Sequence, residues 1–167
     1  LEKPESEGWV GLLRARLAAK GHTHEVVNAS IPGDTSAGGL ARVDDLLARH
    51  RPRVLLLELG ANDGLRGLPP ARLEANLSEI IRRAHKAGAK ALLLGMRIPP
   101  NYGKRYNTLF EAVFPSVARR LDVPLVPFLL DGVGGHKELM QADGLHPAQS
   151  AQVLMLENVW AKLEPLL

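Results

Sequence analysis

Apolar residues follow two alternating rhythms along this chain, one helical and one nearly unbroken. At Trp9, Val10, Leu12, Leu13 and Leu17 the spacing is helical, with Arg14, Arg16 and Lys20 left outside, which predicts a helix from Trp9 to about Lys20. Gly21 is placed to cap it. His24–Ala29 then reads as a short strand, broken by Ile31-Pro32-Gly33-Asp34. A second helix is expected from near Ala37 or Gly38, through Leu40, Val43, Leu46 and Leu47, to His50. From Arg53 to Gly60 the chain is apolar almost without interruption, as in a strand covered on both faces. A loop carrying Asn62, Asp63 and Pro69-Pro70 leads to a helix over about Ala71–Ala87, stopped by Gly88. Lys90–Met96 predicts another buried strand, Lys104–Leu121 a helix, and Pro124–Leu129 a last strand whose two prolines favour a sheet edge. The final helix is expected from about Pro147 to Leu163.

Strands alternating with long helices predict a three-layer α/β/α fold, a doubly wound parallel sheet of flavodoxin-like type. Ligands in such sheets bind beyond the carboxyl ends of the strands. The loops Ser30–Ser36, Gly60–Leu68 and Ile98–Tyr106 fall there, and a turn at Asp143–His146 can return to the same edge.

Composition narrows this picture without redirecting it. The 167 residues form a single expected domain, 46% hydrophobic and 23% charged, as in ordinary globular proteins. The absence of Cys excludes a disulfide framework, a thiolate metal site and a cysteine nucleophile. A net charge of +3 without a basic stripe, and 4% aromatic residues, argue against a nucleic-acid partner. No apolar run reaches the roughly 20 residues of a membrane span, so no transmembrane segment is expected.

Three short stretches carry candidate chemistry. In Asp143-Gly144-Leu145-His146-Pro147 a carboxylate precedes an imidazole in a turn, before a proline suited to a first helical position. There Asp143 can accept one ring N–H and leave the other nitrogen of His146 to take a proton, the base and orienter of a nucleophilic triad. The plainer reading is a turn aspartate and a helix-starting proline beside a bystander histidine. Gly60-Ala61-Asn62-Asp63 follows the most buried strand, so Asn62 can project an amide donor at the sheet edge; alternatively both side chains satisfy their own backbone in a turn. Gly33 follows an earlier strand and can expose a backbone N–H to an oxyanion. Ser36 or Ser30 as nucleophile is the rival there, but Ser36 reads more simply as a helix N-cap.

Taken together and in order, these blocks resemble the SGNH (GDSL-type) hydrolases, in the bacterial thioesterase, lysophospholipase and arylesterase group. The resemblance rests on Val27–Ser36, Glu58–Gly67, Arg97–Gly103 and Asp143–Pro147 and spans essentially the whole chain. It implies an ester or thioester hydrolase acting through an acyl-enzyme, with His146 as general base and Asp143 as its partner. Gly33 and Asn62 would be oxyanion donors. It implies a mobile loop at Gly64–Pro69, an opposite wall at Arg97–Tyr102, and acyl or aryl contacts at Leu65, Leu68, Ile98, Pro99 and Leu145. Neither a metal nor an organic cofactor is implied, and the group is often periplasmic or secreted. A non-catalytic acyl- or glycan-binding domain on the same scaffold is the alternative. A nucleotide binder ranks lower, because the glycine-rich pyrophosphate fingerprint is missing.

The Gly-Asp-Ser-Leu nucleophile turn that gives the family its name should precede the helix at Trp9. The resemblance therefore places the serine upstream of Leu1. In the strand order 2-1-3-4-5 that first strand is central. The strands near Val26 and Leu56 are thus expected to flank it and not to pair with each other. His22 and His24 read as a solvated strand end, His50, His85 and His136 as surface, Arg82-Arg83 and Arg119-Arg120 as solvated faces, and Trp9 and Trp160 as packing.

Overall fold

The computed structural model describes residues 8–127 and 151–167. Within them α1 (Trp9–Ala19), α2 (Ser36–His50), β1 (Val54–Leu57), α3 (Ala61–Leu65), α4 (Pro70–Lys86), β2 (Lys90–Leu94), α5 (Lys104–Leu121), β3 (Leu125–Val126) and α6 (Gln152–Leu163) follow in order. The strands form a parallel sheet in the order β1-β2-β3, with Leu56 opposite Leu92 and Leu94 opposite Val126. Among the described strands β3 lies at the edge, as its flanking prolines predict.

The pleat explains the two cores. Alternate residues of a strand face opposite sides. Leu55, Leu57, Ala91 and Leu93 therefore join α2, α4 and α5 in one cluster, with Leu77, Ile81, Phe110 and Phe114 at its centre. Val54, Leu56, Leu92 and Leu94 join α1 and α6 in the other, where Trp9, Leu13, Val159 and Trp160 pack. The three-layer α/β/α architecture is thus present, with α1 and α6 on one face and α2, α4 and α5 on the other. No helix among the described residues is long and apolar enough to cross a membrane.

Two departures from the sequence expectations bear on the site. Residues 61–65, expected as loop, form the short helix α3. His24–Ala29 is extended but forms no strand, and no backbone–backbone hydrogen bond joins residues 23–30 to another described segment. A strand needs a neighbour to complete its ladder, and this stretch has none among the described residues. Val26 and Leu56 are accordingly unpaired with each other. Between them runs a groove of about 460 Å³, lined by Trp9, Val26, Asn28, Val54, Leu56 and Glu58 among others. Among the described residues, β1 has a ladder partner only on its β2 side.

Candidate active site

The site is assembled from two loops at the carboxyl edge of the sheet. The first is the turn Ile31–Asp34, closed by a bond from the Asp34 N–H to the Ile31 carbonyl at 3.1 Å. Pro32 fixes the second turn position, and Gly33 takes φ +77°, the left-handed value that a type II turn requires at its third residue. Gly33 is exposed, and its N–H has no hydrogen-bond partner among the described residues. Arg42, from α2, holds both ends of this loop. Its Nε and Nη2 donate to Asp34 Oδ2 at 3.2 and 2.7 Å, and its Nη1 donates to the Ala29 carbonyl at 2.9 Å.

The second loop begins where β1 ends. Gly60 adopts φ +123° as the N-cap of α3, and a Cβ there would press on Phe114 and Leu73 at 3.1 and 3.2 Å. That turn launches Asn62 and Asp63 in the first turn of α3 with very different surroundings. The half-buried Asn62 side chain makes no hydrogen bond to any described residue, so its amide donors are free to meet a ligand. Asp63 is 2% exposed, and its Oδ1 and Oδ2 accept from the Ser36 N–H at 2.7 Å and the Ser36 Oγ at 2.6 Å. The reading in which both residues satisfy their own backbone therefore fails for Asp63. It reaches across to α2.

Ser36 is fully buried, and its hydroxyl also accepts from Asn76 Nδ2 at 3.0 Å. A serine so enclosed and so bonded cannot meet a substrate carbonyl, which removes it as a rival nucleophile. It is also not the helix cap expected from sequence. Thr35 is the N-cap of α2, accepting from the Gly38 N–H at 3.4 Å, and Ser36 is the first helical residue. Arg66 completes the junction of the two loops by donating to the Gly33 carbonyl at 3.3 Å. Arg42, Ser36 and Asn76 were not singled out in sequence for this role, because their partners lie far along the chain.

Of the residues expected along the substrate groove, Leu65, Leu68, Ile98 and Pro99 gather beside α3. The Tyr102 hydroxyl donates to the Leu65 carbonyl at 2.9 Å, the Tyr106 hydroxyl to the Leu68 carbonyl at 2.6 Å, and Asn107 Nδ2 to the Pro99 carbonyl at 3.1 Å. Leu65, Leu68 and Pro99 are half-buried. Ile98 is 7% exposed and abuts Gly64, where a Cβ would lie 2.6 Å from Ile98 Cγ2. Burial raises the pKa of Tyr106, and the nearby Asp63 and Tyr102 add to it, so its hydroxyl keeps the proton it donates. Tyr106→Phe is expected to cost about 1 kcal/mol of stability, the net worth of one hydrogen bond. It should also speed amide exchange in Leu65–Leu68, as hydrogen-exchange mass spectrometry would show.

Asp143, Leu145 and His146 lie outside the described residues. His136, expected as a surface residue, lies outside them too, and the other histidines offer no comparable constellation among the described residues. His22 stands edge-on to Trp160 at 6.3 Å and tilted to His24 at 5.7 Å, and His50 and His85 are exposed.

The chain is similar to known proteins over nearly its whole length. Residues 4–152 match the model of the GDSL-like Lipase/Acylhydrolase family. Esterase TesA of Pseudomonas aeruginosa is 56% identical over 97% of this chain and 81% of its own length. Thioesterase 1/protease 1/lysophospholipase L1 of Escherichia coli K12 is 45% identical over 96% of this chain and 76% of its own. A solved crystal structure of TesA superposes with a TM-score of 0.96 at 55% identity, covering 100% of this chain and 93% of that one.

Proposed function

The chain belongs to the GDSL-like lipase/acylhydrolase family, and from that premise we propose that it is a serine hydrolase of carboxylic esters or thioesters whose oxyanion site is Gly33 and Asn62. The observation that carries the reading is the pair of loops at one sheet edge, each offering a donor that no described residue uses. Such donors, fixed before substrate arrives, are worth far more in a partly dry site than in water.

In this mechanism a serine Oγ attacks the acyl carbonyl while His146 takes its proton, and Asp143 holds the imidazole and stabilises the imidazolium. The carbonyl oxygen becomes an oxyanion held by the Gly33 N–H and the Asn62 amide. Collapse of the tetrahedral adduct breaks the bond to the leaving alkoxide or thiolate, which receives the proton from His146. Water, deprotonated by the same imidazole, then releases the acid and restores the serine. Leu65, Leu68, Ile98, Pro99 and Leu145 are proposed to meet the acyl or aryl part.

The serine is proposed to lie upstream of Leu1, at the end of a strand seated in the groove between Val26 and Leu56. Three features support that placement. Among the described residues, extended backbone on the Val26 side has no ladder partner, and β1 on the other side has one only towards β2. The two backbones line opposite sides of one groove. The third feature is handedness. Parallel crossovers are right-handed, so helices on opposite faces of a sheet carry the chain in opposite directions along it. α2 and α4 share one face and lead towards β1 and then β2, whereas α1 lies on the other face. The strand that feeds α1 therefore belongs on the β1 side of residues 24–29, which is the groove. It would run parallel to β1 and deliver the residue after it beside Gly33 and Asn62.

Labelling with a fluorophosphonate, followed by peptide mapping of the full-length protein, tests this reading. A single covalent adduct is expected on a serine preceding Leu1. An adduct on Ser30 or any other serine of residues 1–167 would move the nucleophile, and no adduct at all would favour an acyl-binding domain without catalysis.

A further inference from the structure

We infer that Asp63 is a positioning residue for the oxyanion site, fixing the Gly33 loop against the Asn62 helix through Ser36. The inference rests on the ester-hydrolase reading, in which Gly33 and Asn62 act on the same oxygen. Its physical basis is a continuous path of contacts between the two donors. The Gly33 turn is bound at Asp34 and Ala29 by Arg42, which belongs to α2. The first residue of α2, Ser36, is bound through both its N–H and its hydroxyl by Asp63. Asp63 follows Asn62 directly in α3. Whatever moves α2 against α3 therefore moves Gly33 against Asn62.

Asp63 is more than a local cap. Thr35 already caps α2 through the Gly38 N–H, so helix formation alone does not call for a buried carboxylate from another helix. What Asp63 adds is a tie between segments 27 positions apart in sequence. The carboxylate is tolerated at 2% exposure because two donors meet it and because it sits at the positive end of the α2 dipole. Asn76 donates to the Ser36 oxygen, which commits the hydroxyl proton to Asp63 and fixes the direction of the bond. The remaining link, Arg66 to the Gly33 carbonyl, is longer and exposed, so it is the weaker of the two restraints.

Displacing a reacting group by about 1 Å can cost roughly 10²-fold in rate. Asp63→Ala in the full-length protein should therefore lower kcat on a short-chain p-nitrophenyl ester by about 10²-fold, with KM within about threefold. Asp63→Asn keeps an acceptor for the Ser36 N–H and is expected to recover most of that loss. The decisive measurement is the double-mutant cycle with Asn62→Ala. If Asp63 acts through the oxyanion site, Asp63→Ala adds less than about threefold once Asn62 is gone. A merely structural role would instead give multiplicative losses. Should Asp63→Ala fail to fold by circular dichroism, Ser36→Ala carries the same cycle, with a loss of about tenfold expected by removal of one of two bonds. Unchanged kcat in folded Asp63→Ala, or multiplicative losses in the cycle, would overturn the inference. If Asn62→Ala itself left kcat intact, the failure would belong to the oxyanion reading instead.

Discussion

His146→Ala is expected to abolish nearly all turnover, with kcat falling by about 10⁶-fold, the scale of losing the base from a serine–histidine unit. KM should change little, because the imidazole acts on a proton that moves only as the transition state forms. Fluorophosphonate labelling should slow in parallel, since the same proton must leave the serine. Asp143→Asn is expected to cost less, about 10⁴-fold, since the imidazole survives and only its tautomer and orientation are compromised. Stopped-flow or steady-state assays on a p-nitrophenyl ester would measure both. If His146→Ala kept more than a few per cent of wild-type kcat, the general base would have to be sought elsewhere; His50 and His85 end α2 and α4 just before β1 and β2 begin, at the opposite edge of the sheet from Gly33 and Asn62.

How much of this was legible in the sequence depended on whether a signal is local. The helices α4 and α5 follow the apolar period closely, because a face buried against the sheet must recur with each turn, and in α1 it is Trp9, Leu13 and Leu17 that recur so. β1 and β2 were readable from their apolar runs, since helices cover both faces. α3 was not, because five residues containing Asn, Asp and Gly look like a turn and become helical only on the Gly60 cap and the α4 surface. His24–Ala29 failed for the opposite reason. Its composition suits a strand, yet a strand exists only with a neighbour, and the neighbour is not supplied by the described residues. At the candidate site, Gly33 and Asn62 taken singly were open to an ordinary turn reading, and it was the ordered set of blocks resembling a known family that put them forward as oxyanion donors. The tie between Ser36 and Asp63 has no local signal, since each residue alone has an ordinary local explanation as a cap or turn former. Asp143, Leu145 and His146 rest on the sequence alone.

Asn62→Ala is expected to lower kcat by about 10²–10³-fold while KM stays within a few-fold, the signature of a donor used only when the carbonyl oxygen becomes charged. Three features make the size of that loss an inference from geometry. Gly60 turns the chain sharply enough to place Asn62 in the first turn of α3 at the sheet edge. The side chain is half-buried, so water replaces the amide poorly. It carries no other hydrogen bond among the described residues, so the substitution leaves nothing orphaned and should spare the fold. Stability and catalysis should therefore separate: the melting temperature stays near that of the wild type while kcat collapses. Removal of Arg66, whose contact with the Gly33 carbonyl is exposed, should by the same logic leave both nearly unchanged. If Asn62→Ala retained wild-type kcat, the Asn62 amide would not hold the oxyanion, and the pairing of these two loops would need another purpose.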